Sequence, residues 1–82
     1  MNVEDWEALE KVLLEAHARE DRDALISHYA RASRSAEAEG DIDRAAFFVT
    51  YAWIYALELG DKRASELKAR LQRWGKVDEE AS

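Results

Sequence analysis

Two histidines, a scatter of serines and eighteen acidic residues are the groups in this 82-residue chain that could carry chemistry. A di-metal carboxylate centre inside a helical protein needs Glu-x-x-His on facing helices, so that both ligands reach one ion. The residues three before His17 and His28 are Leu14 and Leu25, and the pattern fails at both. His17 and Asp21 stand four apart and could share an ion, but the spacing supplies no third ligand. Surface or capping histidines are expected instead, with His17 favoured by the free carbonyls at its helix end when protonated. Ser27 beside His28, and Ser33 and Ser35 around Arg34, read as ordinary helix-surface residues. No Gly-rich phosphate loop, no G-x-S-x-G and no Cys is present, so the main short catalytic motifs are missing. A protein that is not an enzyme and holds no cofactor or metal is the expectation.

Binding chemistry is better represented. The formal net charge is −6, which argues against nonspecific nucleic-acid binding, since that depends on Lys and Arg neutralising phosphates. Residues 1–21 carry a net of −5, residues 22–60 a net of −2, residues 61–76 a net of +4 and residues 77–82 a net of −3. The first helix is therefore acidic and the last basic. They are read as solvated faces, or as ends that attract each other within or between chains. Arg31, Arg34 and Arg44 lie among Glu37, Glu39, Asp41 and Asp43, and local neutralisation is expected there. The acidic N-terminus lacks the basic and then apolar pattern of a signal peptide, so the cytoplasm is the default expectation. With no Cys, neither a disulfide framework nor a thiolate zinc site can form.

The stretch that must organise the rest is Ala45 to Leu57, AAFFVTYAWIYAL, in which only Thr50 is neither apolar nor aromatic. Apolar residues all round a helix call for partners on more than one side. The run is shorter than the ~20 residues that span a bilayer, so no membrane partner is expected. Phe48 and Ile54 are expected in the core. Tyr51, Trp53, Tyr55 and, further on, Trp74 exceed what a small core comfortably buries. These four form the candidate interaction surface, because exposed aromatics anchor interfaces.

The positioning elements follow from punctuation at a spacing of twenty: Glu20-Asp21, Gly40-Asp41 and Gly60-Asp61. Gly suits the left-handed residue that closes a helix, and Asp caps the next one by accepting its free N–H groups. Ala16, Ala36 and Ala56 precede the three junctions at similar offsets. Four antiparallel helices are predicted, at about 3–19, 22–39, 42–59 and 62–74. Asn2, then Asp21 or Asp23, then Asp41 and Asp61 serve as caps. Residues 1–76 form a single helical domain, and residues 77–82 a flexible acidic tail. An up-down four-helix bundle is the alternative architecture, and it would set the acidic first helix against the basic last one.

Residues 21–61, and within them AEAEGDIDRAAFFVTYAWIYALELGD, resemble a tetratricopeptide repeat of the forty-residue type. Ala45, the Phe47–Phe48 pair, Ala52 and Ala56 stand at the family's small and large positions. The Leu-Gly usual in the family's first helix is absent. The resemblance implies TPR-like helical hairpins that scaffold the binding of a protein or peptide, with no catalytic residues. Two functions from different classes follow. One is an interaction module with a groove lined by the second and third helices. The other is a self-associating structural homodimer, closed through Trp53, Tyr55 or Trp74.

Overall fold

The structure, a computed structural model, describes residues 3–76. It is all-α: α1 (Val3–Ala18), α2 (Arg22–Ala38), α3 (Ile42–Leu59) and α4 (Arg63–Arg73). Successive helices run antiparallel, with turns at the three expected junctions. The expected ends of α1, α2 and α4 shift inward by one residue, and α3 has the predicted bounds. Asn2 and the tail at 77–82 lie outside the described residues.

The twenty-residue spacing has a hydrogen-bonding origin. Each helix ends in a turn whose N–H groups reach back to otherwise free carbonyls. Asp21, Asp41 and Asp61 donate their backbone N–H to the carbonyls of Ala16, Ala36 and Ala56 at 2.9, 3.0 and 2.8 Å. The acceptor alanines are buried, so each turn folds its own helix end onto the core. Asp21 and Asp41 then cap the following helix, whereas the cap of α4 is Lys62 and the expected Asp61 stands one residue ahead of it, bonding the first helical N–H. The carboxylates of Asp21, Asp41 and Asp61 accept from the N–H of Ala24, Arg44 and Arg63 at 3.0, 3.1 and 2.8 Å.

The residue before each Asp takes positive φ. Gly60 sits at 66° with open space where a Cβ would project, while Glu20 sits at 54° without the freedom that Gly has. An L side chain in this conformation costs about 1–2 kcal/mol, and Gly recovers part of that against its larger unfolded-state entropy. Glu20→Gly is therefore expected to stabilise the fold by about 0.5–1 kcal/mol, and Gly60→Ala to destabilise it by about as much. Urea melts of both variants check the pair. Shifts of equal sign would exclude the shared backbone cause.

Close packing joins neighbours in the chain: α1 with α2, α2 with α3, and α3 with α4. The α2–α3 pair is central, because Ala32, Ala36, Ala45 and Ala52 let the two backbones approach. On one flank Trp6 and Leu9 of α1 pack against Ala32, Ala36, Ala45 and Phe48. On the other, Leu67 and Leu71 of α4 pack against Ile26, Val49 and Ala56.

Coverage of α3 differs from expectation. Phe48 is buried, but Ile54 is 41% exposed, and Phe47 and Leu57 are each 55% exposed. Ile54 follows Ala45 by nine residues, which at 3.6 per turn places it half a turn away from that buried position. The molecule measures 38 × 29 × 13 Å. So thin a slab holds the α2–α3 pair with one helix on each flank, and among the described residues no further helix covers the remaining face of α3.

Charge pairing also differs. Of the acids near Arg31, Arg34 and Arg44, Glu37 and Asp43 serve the basic C-terminal segment instead of those arginines. Arg70 donates to Glu37 at 2.9 Å, Lys76 to Asp43 at 2.7 Å, and Arg63 to both Asp23 and Asp61. Arg44 does keep a local partner in Asp41, at 3.7 Å. Among the described residues the basic segment is thus stitched to α2 and α3. Hydrogen bonds from Arg63 hold the Asp61 carboxyl down at about 2. A carboxyl lowered on folding contributes stability above its unfolded value near 3.9 and loses it as pH falls through about 2. Between pH 4 and 2 the wild type should lose stability more steeply than Asp61→Asn, as followed by urea melts. Parallel losses would mean the pairing is absent in solution.

Candidate functional site

Both α1 and α3 lean on α2, and a cleft of about 320 Å³ opens between them. Trp6, Leu13 and His17 of α1 form one wall, Phe48 begins the other, and Tyr29 of α2 is the floor. The cleft is closed at both ends. The Arg44 guanidinium lies over the Trp6 ring at 4.9 Å, and Trp6 meets Phe48 at 5.4 Å. At the other end His17 stands edge-on to Tyr55 at 5.8 Å. Because Trp6 meets the start of α3 and His17 its later part, the two walls run in the same direction. From Trp6 to His17 they extend about 16 Å at 1.5 Å per residue.

The floor is continuous aromatic surface. Tyr29 stacks with Tyr51 at 5.4 Å and with Tyr55 at 6.1 Å, and Phe47 meets Tyr51 edge-on at 5.0 Å. Burial, then the neighbouring Tyr55 and Tyr51, pushes the Tyr29 hydroxyl above the usual phenol value. Burial does the same for Tyr55, with Glu58 and Tyr51 adding to it. Tyr29 and Tyr55 therefore stay uncharged through any physiological pH. Beyond Tyr51, itself 37% exposed, the surface runs out onto the uncovered face of α3 through Phe47, Ile54 and Leu57.

Of the four aromatics expected at the surface, the structure brings together Tyr51 and Tyr55. Trp53 and Trp74 lie elsewhere, half-buried against the cluster of Val49, Leu67 and Leu71. Arg70 also covers Trp74, its guanidinium 5.1 Å from the ring centroid. The cleft departs too from the expected groove on the second and third helices: its walls come from α1 and α3, and α2 supplies the floor. Trp6, Tyr29, Leu14, Phe47, Ile54 and Leu57 were not among the expected interface residues. The last three could have been found by helical spacing: Phe47 is four before Tyr51, Ile54 three after it, and Leu57 three further on.

The charges around the cleft are uneven. At the ends of α3, Asp43 pairs with Lys76 and Glu58 with Arg22, each at 2.7 Å. On α1, Glu7, Glu10 and Glu15 make no ion pair among the described residues. These acids and Lys11 flank Leu14, which is 62% exposed, and of the three only Glu10 also lines the cleft. A larger crevice of about 600 Å³ follows the α1–α2 seam past His28. Its lining mixes small aliphatic residues with His28, Arg31, Ser35, Asp5 and Glu39, and it offers no Phe, Tyr or Trp anchor.

The other candidates have structural work. Asp21 caps α2, Ser33 donates to the Ala30 carbonyl at 2.6 Å, and Ser27 accepts from Arg63 at 3.4 Å. Among the described residues no three His, Asp or Glu side chains converge on a point that could hold a metal. No helix among them is long and apolar enough to cross a membrane. Comparison with protein-family models, with curated proteins and with solved structures finds no match to this chain.

Proposed function

We propose that this chain is a non-enzymatic protein–protein interaction module that binds through the α1–α3 cleft and the adjoining face of α3. One observation carries the reading: the most apolar helix keeps Phe47, Tyr51, Ile54 and Leu57 in water beside a ring-lined cleft. Exposed contiguous apolar surface of this kind marks interaction sites in small soluble domains. Aromatic anchors at a cleft are where binding energy concentrates. A TPR-like scaffold is proposed for it on the sequence resemblance at residues 21–61 alone. A self-associating homodimer is the second reading, favoured by the neutral strip between the two ion-paired ends of α3. Four half-exposed side chains contribute about 3–6 kcal/mol when covered, while association costs about 4–15 kcal/mol. The strip alone is therefore a weak dimer interface, and a partner that also fills the cleft is the stronger candidate.

Sedimentation at micromolar concentration, at low and high salt, should give a mass near the 9.4 kDa of one chain. A mass of twice that value, rising with concentration, would move the reading to the homodimer. Affinity capture should retain a protein on the wild type that Phe47→Glu fails to retain. Identical retention by the two would sink the assignment of the site.

A further inference from the structure

We infer that the crevice along the α1–α2 seam binds a fatty-acid-like carboxylate, an anionic head on an uncharged alkyl chain. No residue of α3 lines it, so the site is separate from the interaction surface. Its volume of about 600 Å³ falls within the range of about 300–1,000 Å³ found for small-molecule sites. Such sites are mostly apolar, with a few polar groups that fix the ligand's orientation. Here the two kinds of lining are divided between the two walls.

The α1 wall is apolar: Ala8, Leu9 and Val12 share one side of that helix. The crevice bottoms on Ala32, which is buried and packs with Leu9 in the core. Short side chains at Ala8, Ala32, Ser35 and Ala38 leave the space that longer ones would fill.

The α2 wall supplies the polar groups. His28, Arg31 and Ser35 follow at i, i+3 and i+7, a row about 10 Å long on one face of the helix. None of these three side chains makes a hydrogen bond or ion pair among the described residues. By contrast Arg22, Arg44, Arg63, Arg70 and Lys76 are all paired with carboxylates. Arg31 therefore keeps its planar fork of donors, to which a ligand carboxylate fits with two parallel bonds. His28 and Ser35, one turn to either side, offer a further donor each.

Charge sets the direction of the ligand. Two acids also line the crevice, Asp5 and Glu39, and both lie at its far end, because antiparallel packing sets the start of α1 beside the end of α2. Glu39 is eight residues beyond Arg31, about 12 Å along the helix axis, which exceeds the ~8 Å screening length at physiological salt. A head group held by His28 and Arg31 thus has its cation in contact and the acids screened, while the alkyl chain runs over Ala32 between the walls. A cationic amphiphile would meet Arg31 as a like charge. Turned end for end it would meet Asp5 and Glu39, which already have interactions of their own.

The test is an NMR titration of the isotope-labelled chain with decanoate below its micelle concentration, against acetate and decyltrimethylammonium. Decanoate should give saturable shifts concentrated in residues 5–12 and 28–39, with a Kd of about 1 mM or tighter, as ligands of that size reach. Acetate should not saturate over the same range, since it lacks the chain. Decyltrimethylammonium should bind at least about fivefold more weakly. Arg31→Gln should lose about fivefold or more in decanoate affinity. Arg34→Gln, the same charge change on the same helix but outside the crevice, should stay within about twofold. Ala8→Phe, which fills the crevice from an exposed position, should abolish the saturable shifts. Circular dichroism should show all three variants folded, and if one is not, decanoate against its cationic counterpart on the wild type still decides.

Equal affinity for decyltrimethylammonium, or equal losses in Arg31→Gln and Arg34→Gln, would overturn the carboxylate site. So would shifts centred on residues 47–57, which would mean that the alkyl chain only coats the open face of α3. Crevice shifts that depend on protein concentration without any ligand would make a second copy the occupant and equally end the inference. The α3 interaction surface is tested separately, by Phe47→Glu in affinity capture.

Discussion

Phe48→Ala is expected to remove about 3–5 kcal/mol of folding stability, and Ile54→Ala less than about 1 kcal/mol. Both residues are large, apolar and on α3, so the difference isolates burial. Phe48 is 6% exposed and touches Trp6, Tyr29 and Phe47, with ring centroids at 5.4, 6.3 and 5.6 Å. Its other neighbours are Ala32, Ala36 and Ala45, which are too short to close a ring-sized void. The cost is therefore expected near the upper end for large-to-small changes. An 82-residue chain has about 4–12 kcal/mol of stability in total, so this one substitution could leave a sizeable unfolded fraction. At Ile54 truncation removes surface that water already reaches and leaves no cavity. Urea melts of the two variants measure both losses. Equal losses would mean that Ile54 is covered in solution, and the open face on which the proposed site depends would not exist.

The helices and turns were legible because their signals are local. Gly-Asp is a stop followed by a start: Asp41 caps α3, while Asp61 stands one residue ahead of the α4 cap and bonds its first N–H. The first junction shows the limit. Nothing in Glu20 announces positive φ, but Asp21 bonds on both sides of it, so the turn forms over the residue's own preference.

The site was half legible, for a different reason. An all-apolar helix states a demand for neighbours, not whether the chain meets it, and no local pattern reports an absent partner. Helical spacing did hold the information that divides the aromatics. Tyr51 and Tyr55 are four apart and share a face, whereas Trp53, two from each, points to the far side, where Leu67 and Leu71 lie. Charge pairing was the least legible part. Spacing pairs residues along one helix, while Glu37 and Asp43 are matched by bases 33 residues away on or after α4.

Arg70→Ala is expected to cost about 2–3 kcal/mol, the largest loss for any charged residue in the chain. The Arg70 side chain is only 12% exposed. From there it donates to Ser33 Oγ at 3.0 Å and to Glu37 at 2.9 Å, and covers the Trp74 ring at 5.1 Å. Hydrogen bonds involving a charged group contribute about 1.5–3 kcal/mol, and a cation over an aromatic face about 0.5–2 kcal/mol. The full penalty for breaking a buried pair, about 3–5 kcal/mol, arises when the abandoned charge stays buried. That does not apply here: the Glu37 side chain is 45% exposed and can rehydrate, and Ser33 keeps its bond to the Ala30 carbonyl. Glu37→Gln should accordingly cost less than about 1 kcal/mol. Arg70→Lys should recover only part of the loss, because one ammonium cannot reproduce the planar fork that reaches serine, carboxylate and ring together. Urea melts of the three variants, followed by circular dichroism, measure the order Ala worst, Lys intermediate and Gln least. If Glu37→Gln matched Arg70→Ala, the ion pair alone would hold α4 to α2. The roles assigned to Ser33 and Trp74 would then be wrong.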